Sequence, residues 1–310
     1  MRLIGTVAVL AIALIGTAYA QSAGSAADNA PAVAAPLGDA EIQQPRNRRI
    51  AYGTHWVRCM GFGETDERGA IRSCGRIIGE RITRWHTATA LYNRAQHYNE
   101  IGESSTAESD LAEALRLFTD SIGAYPRDPY GYINRATLFE YTERYDEALA
   151  DYERAIAADG DLGHPNYRRG AIFFNRGDYA SATAEYDEAS RKAPEQPYYH
   201  AARCEGRAAA GADWETARAA CEEAIRIAEQ DAYVYFSRGF FRFRQGDYAG
   251  ALADFSISVE RNAESAPGLY GRGVAAIRLG RHAEGQADID RGIALDEDVD
   301  EFYGNAGLRP

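Results

Sequence analysis

The sequence predicts an all-α chain, a solenoid of about six short helix hairpins. Two observations carry this expectation. An arginine followed by a small residue recurs at a nearly constant interval. A turn, then an aromatic or apolar residue, then an alanine follows each copy at almost the same interval.

The first series runs Arg94-Ala95, Arg135-Ala136, Arg169-Gly170, Arg203-Cys204, Arg238-Gly239 and Arg272-Gly273, spaced 41, 34, 34, 35 and 34 residues apart. The second runs Ala114, Ala148, Ala182, Ala217, Ala251 and Gly285, spaced 34, 34, 35, 34 and 34. Small residues at one level let two antiparallel helices approach closely. Aromatic residues one turn away fill the space toward the next unit, and Gly or Asp turns the chain. One hairpin cannot bury its apolar face alone, so the units must stack. In four copies an acid lies 16 residues after the arginine: Arg135–Asp151, Arg169–Glu185, Arg238–Asp254 and Arg272–Asp288. In an antiparallel hairpin those positions face each other, which predicts an ion pair across each.

These residues resemble the tetratricopeptide repeat family. Tyr132, Phe139 and Tyr152 stand at its large positions and Ala136, Ala148 and Ala155 at its small ones. The next copy supplies Gly170, Phe173, Ala182, Tyr186, Ala189 and Pro194. The resemblance covers residues 87–299, as repeats at about 87–128, 129–162, 163–196, 197–231, 232–265 and 266–299. The first copy reads as holding seven extra residues, Glu103 to Ser109, in its helix–helix turn, and the fourth one extra near Ala212. Residues 300–310 read as a tail or partial capping helix.

The resemblance implies a right-handed superhelix whose first helices line a concave partner-binding face. Carried over residue by residue, that face takes Tyr92 and Gln96 from the first repeat and Tyr130, Ile133 and Tyr141 from the second. The third gives His164, Tyr167 and Phe174, the fourth Tyr198. The fifth gives Tyr233, Phe236, Phe240 and Phe243, and the sixth Tyr270. A clamp for a peptide carboxylate, as in some members, would fall on Tyr92, Gln96, Asn134, His164 and Arg168, although the lysines of that clamp are missing here.

Upstream, residues 1–20 carry a secretory signal peptide pattern: Arg2, an apolar core from Leu3 to Ile15, and Ala18-Tyr19-Ala20 as a cleavage site. The apolar run is too short for a stable membrane anchor, which needs about 20 residues. Residues 21–48, rich in Ala, Pro, Gly and Ser, read as a flexible linker, and 49–86 as a degenerate capping half-repeat. A periplasmic or secreted location follows, and with it disulfides for the four cysteines. The repeat register pairs Cys204 with Cys221, a small position of one helix against a large position of the next, and leaves Cys59 for Cys74. Four free thiols, or a zinc site with His55 or His86, are the alternatives.

The formal net charge is −12, which argues against nucleic acid as a partner. Residues 41–100 carry ten arginines against six acids, so the chain has a mildly basic shoulder on an acidic body. No catalytic, phosphate-binding, metal or cofactor motif is present. The expected function is a non-enzymatic scaffold that binds a protein or peptide. A self-associating structural solenoid is the alternative, and an enzyme with an unrecognised site the third reading. Amino-terminal sequencing of the exported protein should begin at Gln21; a start at Met1 would remove the export reading.

Overall fold

The computed structural model describes residues 54–62, 66–211 and 213–310. The expected signal peptide with its cleavage after Ala20, the linker, and the extra residue near Ala212 lie outside the described residues. The described residues form 15 helices and no strand. They divide into two compact units that meet in sequence at Gly160 and Asp161.

In the first unit, α1 (residues 54–59) and α2 (Glu67–Glu80) precede two hairpins. These are α3 (Arg84–Glu100) with α4 (Ser104–Ala124), and α5 (Pro129–Tyr141) with α6 (Tyr145–Ala158). In the second unit, α7 (His164–Asn175) pairs with α8 (Tyr179–Lys192) and α9 (Pro197–Ala210) with α10 (Trp214–Ile227). Then α11 (Ala232–Arg244) pairs with α12 (Tyr248–Arg261), and α13 (Ala266–Arg278) with α14 (His282–Leu295). A short α15 (Val299–Asn305) closes the described chain.

Local chemistry sets the helix ends. Asp128 and Asp231 accept from the backbone N–H of Tyr130 and Tyr233 at 3.1 and 2.8 Å, and Ser265 Oγ accepts from Gly268 N–H at 3.1 Å. These caps satisfy N–H groups that have no partner inside the helix. Helices α5, α7, α9 and α13 each carry proline in the first turn, where its missing N–H costs nothing. Every hairpin turn holds a left-handed residue at the same place: Gly102 at φ +77°, Glu143 at +59°, Gly177 at +75°, Gly211 at +69°, Gly246 at +83° and Gly280 at +81°; the α9–α10 turn adds a second, Asp213 at +54°. Around them the chain closes with a backbone bond such as Arg144 N–H to Phe139 C=O at 2.8 Å, or Asp178 N–H to Phe173 C=O at 3.0 Å. Glu143 is the only one of the six residues at that shared place that is not glycine.

The left-handed residue always lies the same distance beyond the repeated arginine, including in the first copy. That corrects the expected insertion in the first turn. The α3–α4 turn is as short as the others, and the seven extra residues lengthen α4, a 21-residue helix, at its far end. The alanine facing α3 is therefore Ala107, which is buried, and Ala114 lies two helical turns further along.

The predicted ion pairs are present: Arg135–Asp151, Arg238–Asp254 and Arg272–Asp288 at 2.6 Å and Arg169–Glu185 at 3.1 Å. A fifth, Arg94–Asp110 at 2.6 Å, was hidden by the misplaced insertion. Arg203 has no acid at the matching place and reaches Asp187 of the preceding hairpin at 2.5 Å. The Asp151 and Asp254 side chains are only 1% exposed. Much of the attraction therefore offsets lost hydration, and the pairs set helix register more than they add stability.

Between the helices of a hairpin, a small residue receives a large one. Gly170 faces the Tyr186 ring and Gly239 the Phe255 ring, so closely that a Cβ would stand 2.6 and 2.8 Å from ring carbons. The Cys204–Cys221 disulfide occupies this same place in its hairpin, and Cys59–Cys74 joins α1 to α2 beside Trp56 and Ile77. Both expected pairings are thus formed. The zinc alternative loses its ligands, because the cysteines are taken up as disulfides.

Turn geometry yields a stability test. Glu143→Gly should raise the unfolding free energy by about 1 kcal/mol, because glycine adopts φ +59° without a Cβ conflict. Gly177→Ala should lower it by a similar amount. Urea denaturation of both variants checks the pair of opposite signs.

Candidate partner-binding groove

In the first unit, the predicted face residues lie on α3 and α5. Tyr92, Gln96, Tyr130 and Tyr141 are half-buried, while Ile133 and Asn134 are buried. Tyr92 and Tyr141 meet edge to face at 5.6 Å. Gln96 Nε2 donates to the Tyr92 hydroxyl at 2.8 Å, and Asn99 Nδ2 donates to the Tyr141 hydroxyl at 2.6 Å. Burial raises the Tyr141 pKa, with the Asn99 bond acting against it. Asn134 Nδ2 is buried without a hydrogen-bond partner. The result is an aromatic patch with hydroxyls held in fixed directions.

The same unit explains the basic shoulder. Between α1 and α2 lies an open cleft of about 600 Å³, lined in part by His55, Arg58, Arg72 and Arg76. Burial lowers the His55 pKa, as do the charges of Arg76 and Arg58. The histidine therefore adds no charge to the arginines at neutral pH.

In the second unit the predicted face residues lie on α7, α9, α11 and α13, and most are not open to water. Tyr167, Phe174, Tyr198, Phe236, Phe240, Phe243 and Tyr270 are all buried, with Phe240 at 0% exposure; His164 and Tyr233 are half-buried. Some of the cover comes from neighbours in the stack. Tyr198 packs at 6.0 Å from Tyr233 and donates to Asp231 at 2.5 Å; Phe243 packs on Tyr248 of its own hairpin at 5.1 Å.

The rest comes from residues 299–310, of which the sequence marks 300–310 as a tail or partial capping helix. Helix α15 lies across the first helices. Its Phe302 meets Phe174 of α7 at 5.9 Å, and its Tyr303 meets Phe236 and Phe240 of α11 at 4.9 and 6.4 Å. Leu308 is fully buried, and its carbonyl accepts from the Tyr270 hydroxyl of α13 at 3.2 Å.

Among these buried rings sits a group that sequence reasoning missed. Glu205 on α9 is 5% exposed, and its carboxylate accepts from Ser237 Oγ at 2.5 Å. Burial pushes its pKa up to about 7, against the hydrogen bonds from Ser237 and Tyr233. Tyr303 and Tyr233 are in turn pushed well above the usual phenol value, chiefly by burial and then by the Glu205 charge. The repeat register held the missing signal, for Glu205 stands where the other copies have the uncharged Gln96, Thr137, Ala171, Phe240 and Val274.

The carboxylate clamp loses one of its members. Burial, and then the charge of Arg168, lower the His164 pKa to about 3, so the ring is neutral at physiological pH and supplies no cation. Arg168 itself is 9% exposed.

Comparison with known proteins agrees with this geometry. Two family models, both described as tetratricopeptide repeat, match residues 142–204 and 242–298. A tetratricopeptide repeat protein from Parabacteroides merdae superposes with a TM-score of 0.55 at 17% identity, over 83% of this chain and 99% of that one, which shows the fold. Residues 142–204 and 242–298 thus match tetratricopeptide repeats, and the fold is an α-solenoid of hairpins of that kind. Among curated proteins, U-box domain-containing protein 70 of Oryza sativa subsp. japonica is 26% identical over 206 residues, 65% of this chain. DnaJ homolog subfamily C member 3 of Rattus norvegicus is 22% identical over 213 residues, 64% of this chain. The aligned region spans only 25% and 42% of those two relatives.

Glu205 makes stability depend on pH. Its carboxyl is about 7 in the folded chain against an ordinary 4.5, a difference worth on the order of 3 kcal/mol. The folded state holds the extra proton, so this contribution is complete below pH 4.5 and is lost as pH rises through 7. Glu205→Gln should therefore gain stability relative to wild type between pH 5 and pH 8. Urea unfolding at both values measures it, and a difference that does not change with pH would place Glu205 in water.

Proposed function

We propose that the chain is a non-enzymatic scaffold outside the cytoplasm whose first-helix face binds a peptide or protein segment. One observation carries the reading: in the second unit that face already holds a stretch of polypeptide, Val299 to Leu308, through ring contacts and bonds to its backbone. A surface that packs one segment through aromatic anchors has the chemistry of a protein-binding site. The half-buried tyrosines of α3 and α5 offer the same type of side chain, with the Tyr92 and Tyr141 hydroxyls oriented by Gln96 and Asn99.

The extracytoplasmic setting is supported by the signal-peptide pattern ending at Ala20 and by the two disulfides, which persist in oxidising compartments. Protein binding also accords with the repeat class.

The test is affinity capture from the exported fraction with wild type, Tyr92→Ala/Tyr130→Ala on the first helices, and Glu113→Arg/Glu188→Arg on the second helices. Loss of at least tenfold in captured partner is expected from the first variant only. Capture unchanged by the tyrosine pair but abolished by the glutamate pair would move binding to the other face.

A further inference from the structure

The segment lying in the second unit's face is bound as a ligand would be. Three side chains donate to its backbone carbonyls: the Tyr270 hydroxyl of α13 to Leu308 at 3.2 Å and Arg278 Nε of α13 to Arg309 at 3.2 Å, from the face itself, and the Tyr179 hydroxyl at the start of α8 to Asn305 at 3.0 Å. Such bonds grip a main chain whatever its sequence, and pockets then read the side chains. Phe302 and Tyr303 stand edge to face at 4.7 Å and enter rings from α7 and α11, while Leu308 is buried beyond them.

Between these anchors the chain must turn sharply. Gly307 has φ +94°, and Leu308 N–H donates to Tyr303 C=O at 2.8 Å. Arg244 lies against Gly307, leaving no room for a Cβ. It is held there by Ala208 and Ala209 carbonyls of α9 at 3.1 and 3.2 Å. The face thus selects an aromatic pair, a glycine turn and a leucine.

Other features make the segment easy to displace. Its helix has 7 residues, too few to be stable alone. It is entered through Asp296, Glu297, Asp298, Asp300 and Glu301. Burial, and then the neighbouring carboxylates, raise the pKa of Asp296 and Asp298, so the entry to the segment is a cluster of like charges. The charge of the buried Glu205 also acts on Tyr303, after burial, to raise its pKa.

We infer that the first-helix face of residues 161–310 is a receptor for a partner segment bearing two adjacent aromatic residues and, past a glycine turn, a leucine, with the chain's own Val299–Arg309 as its displaceable resident ligand. This deepens the scaffold reading and rests on it. The free protein keeps its aromatic face covered, and a partner of the same chemistry competes for it.

The probe is a fluorescent synthetic peptide of residues 299–309, with a control in which the Phe-Tyr pair is Ala-Ala. Full-length wild type, Leu308→Asp and Phe302→Ala are titrated with each. Both variants should bind the peptide at least tenfold more tightly than wild type, and neither should bind the control. In wild type, saturating peptide should speed hydrogen exchange across 299–308 while α11 and α13 stay protected; this measurement decides alone if both variants unfold. A folded variant that binds no better than wild type, or wild-type exchange unchanged by peptide, overturns the inference. So does a concentration-dependent dimer dissolved by the peptide, which would assign the face to the same segment of a second copy. If peptide binding fails while Tyr92→Ala/Tyr130→Ala still abolishes capture, the receptor inference falls and the scaffold stands. If capture survives that pair and the peptide also fails to bind, the scaffold reading falls with the inference.

Discussion

Within each unit the structure depends on one contact, a small residue of a first helix seating a large residue of the second. Tyr186 fits because Gly170 has no side chain, and Phe255 fits between Gly239 and Gly271 on adjacent first helices. The ring that fills one hairpin thus also reaches the next, so close approach inside a unit and stacking between units are one event. In the last hairpin, Gly273 and Gly285 bring two backbones together instead, and Ile289 replaces the ring. Where Cys204 and Cys221 hold the two places, a covalent bond does the work of the packed ring.

Around this contact, charge acts as a register mark. Each buried carboxylate such as Asp151 or Asp254 has left water and needs its arginine at hydrogen-bonding distance. Sliding one helix by a residue would strand it. The hairpins are therefore held by shape and protected against misalignment by ion pairs. The exception, Arg203, reaches to the previous hairpin and ties two repeats together.

The aromatic content that this arrangement permits has different fates in the two units. In the first, Tyr92 and Tyr141 remain half-buried, with their hydroxyls bonded to amides. In the second, Phe236 and Phe240 carry too much apolar surface to stay wet, and residues 299–308 cover them. The cover has one cost: Glu205 is buried beside Ser237 and Tyr233, and burial holds its pKa up, a penalty that grows with pH.

The sequence by itself determined the helices, five of the six hairpin turns, four of the five in-hairpin ion pairs and the Cys204–Cys221 pairing. Each involves residues within a single repeat, where a constant interval is enough to say which side chains meet. It misjudged the first copy because two series of small residues, one through Ala107 and one through Ala114, satisfy a similar spacing. Only tertiary structure showed that α4 grows at its far end. Only tertiary structure, too, decided where 299–310 lies and that Glu205 is buried. Those contacts join Tyr303 to Phe236 and Leu308 to Tyr270 across unequal stretches of chain, and no periodicity records them. Burial of a surface depends on what else comes to rest on it, and that is a property of the folded chain as a whole.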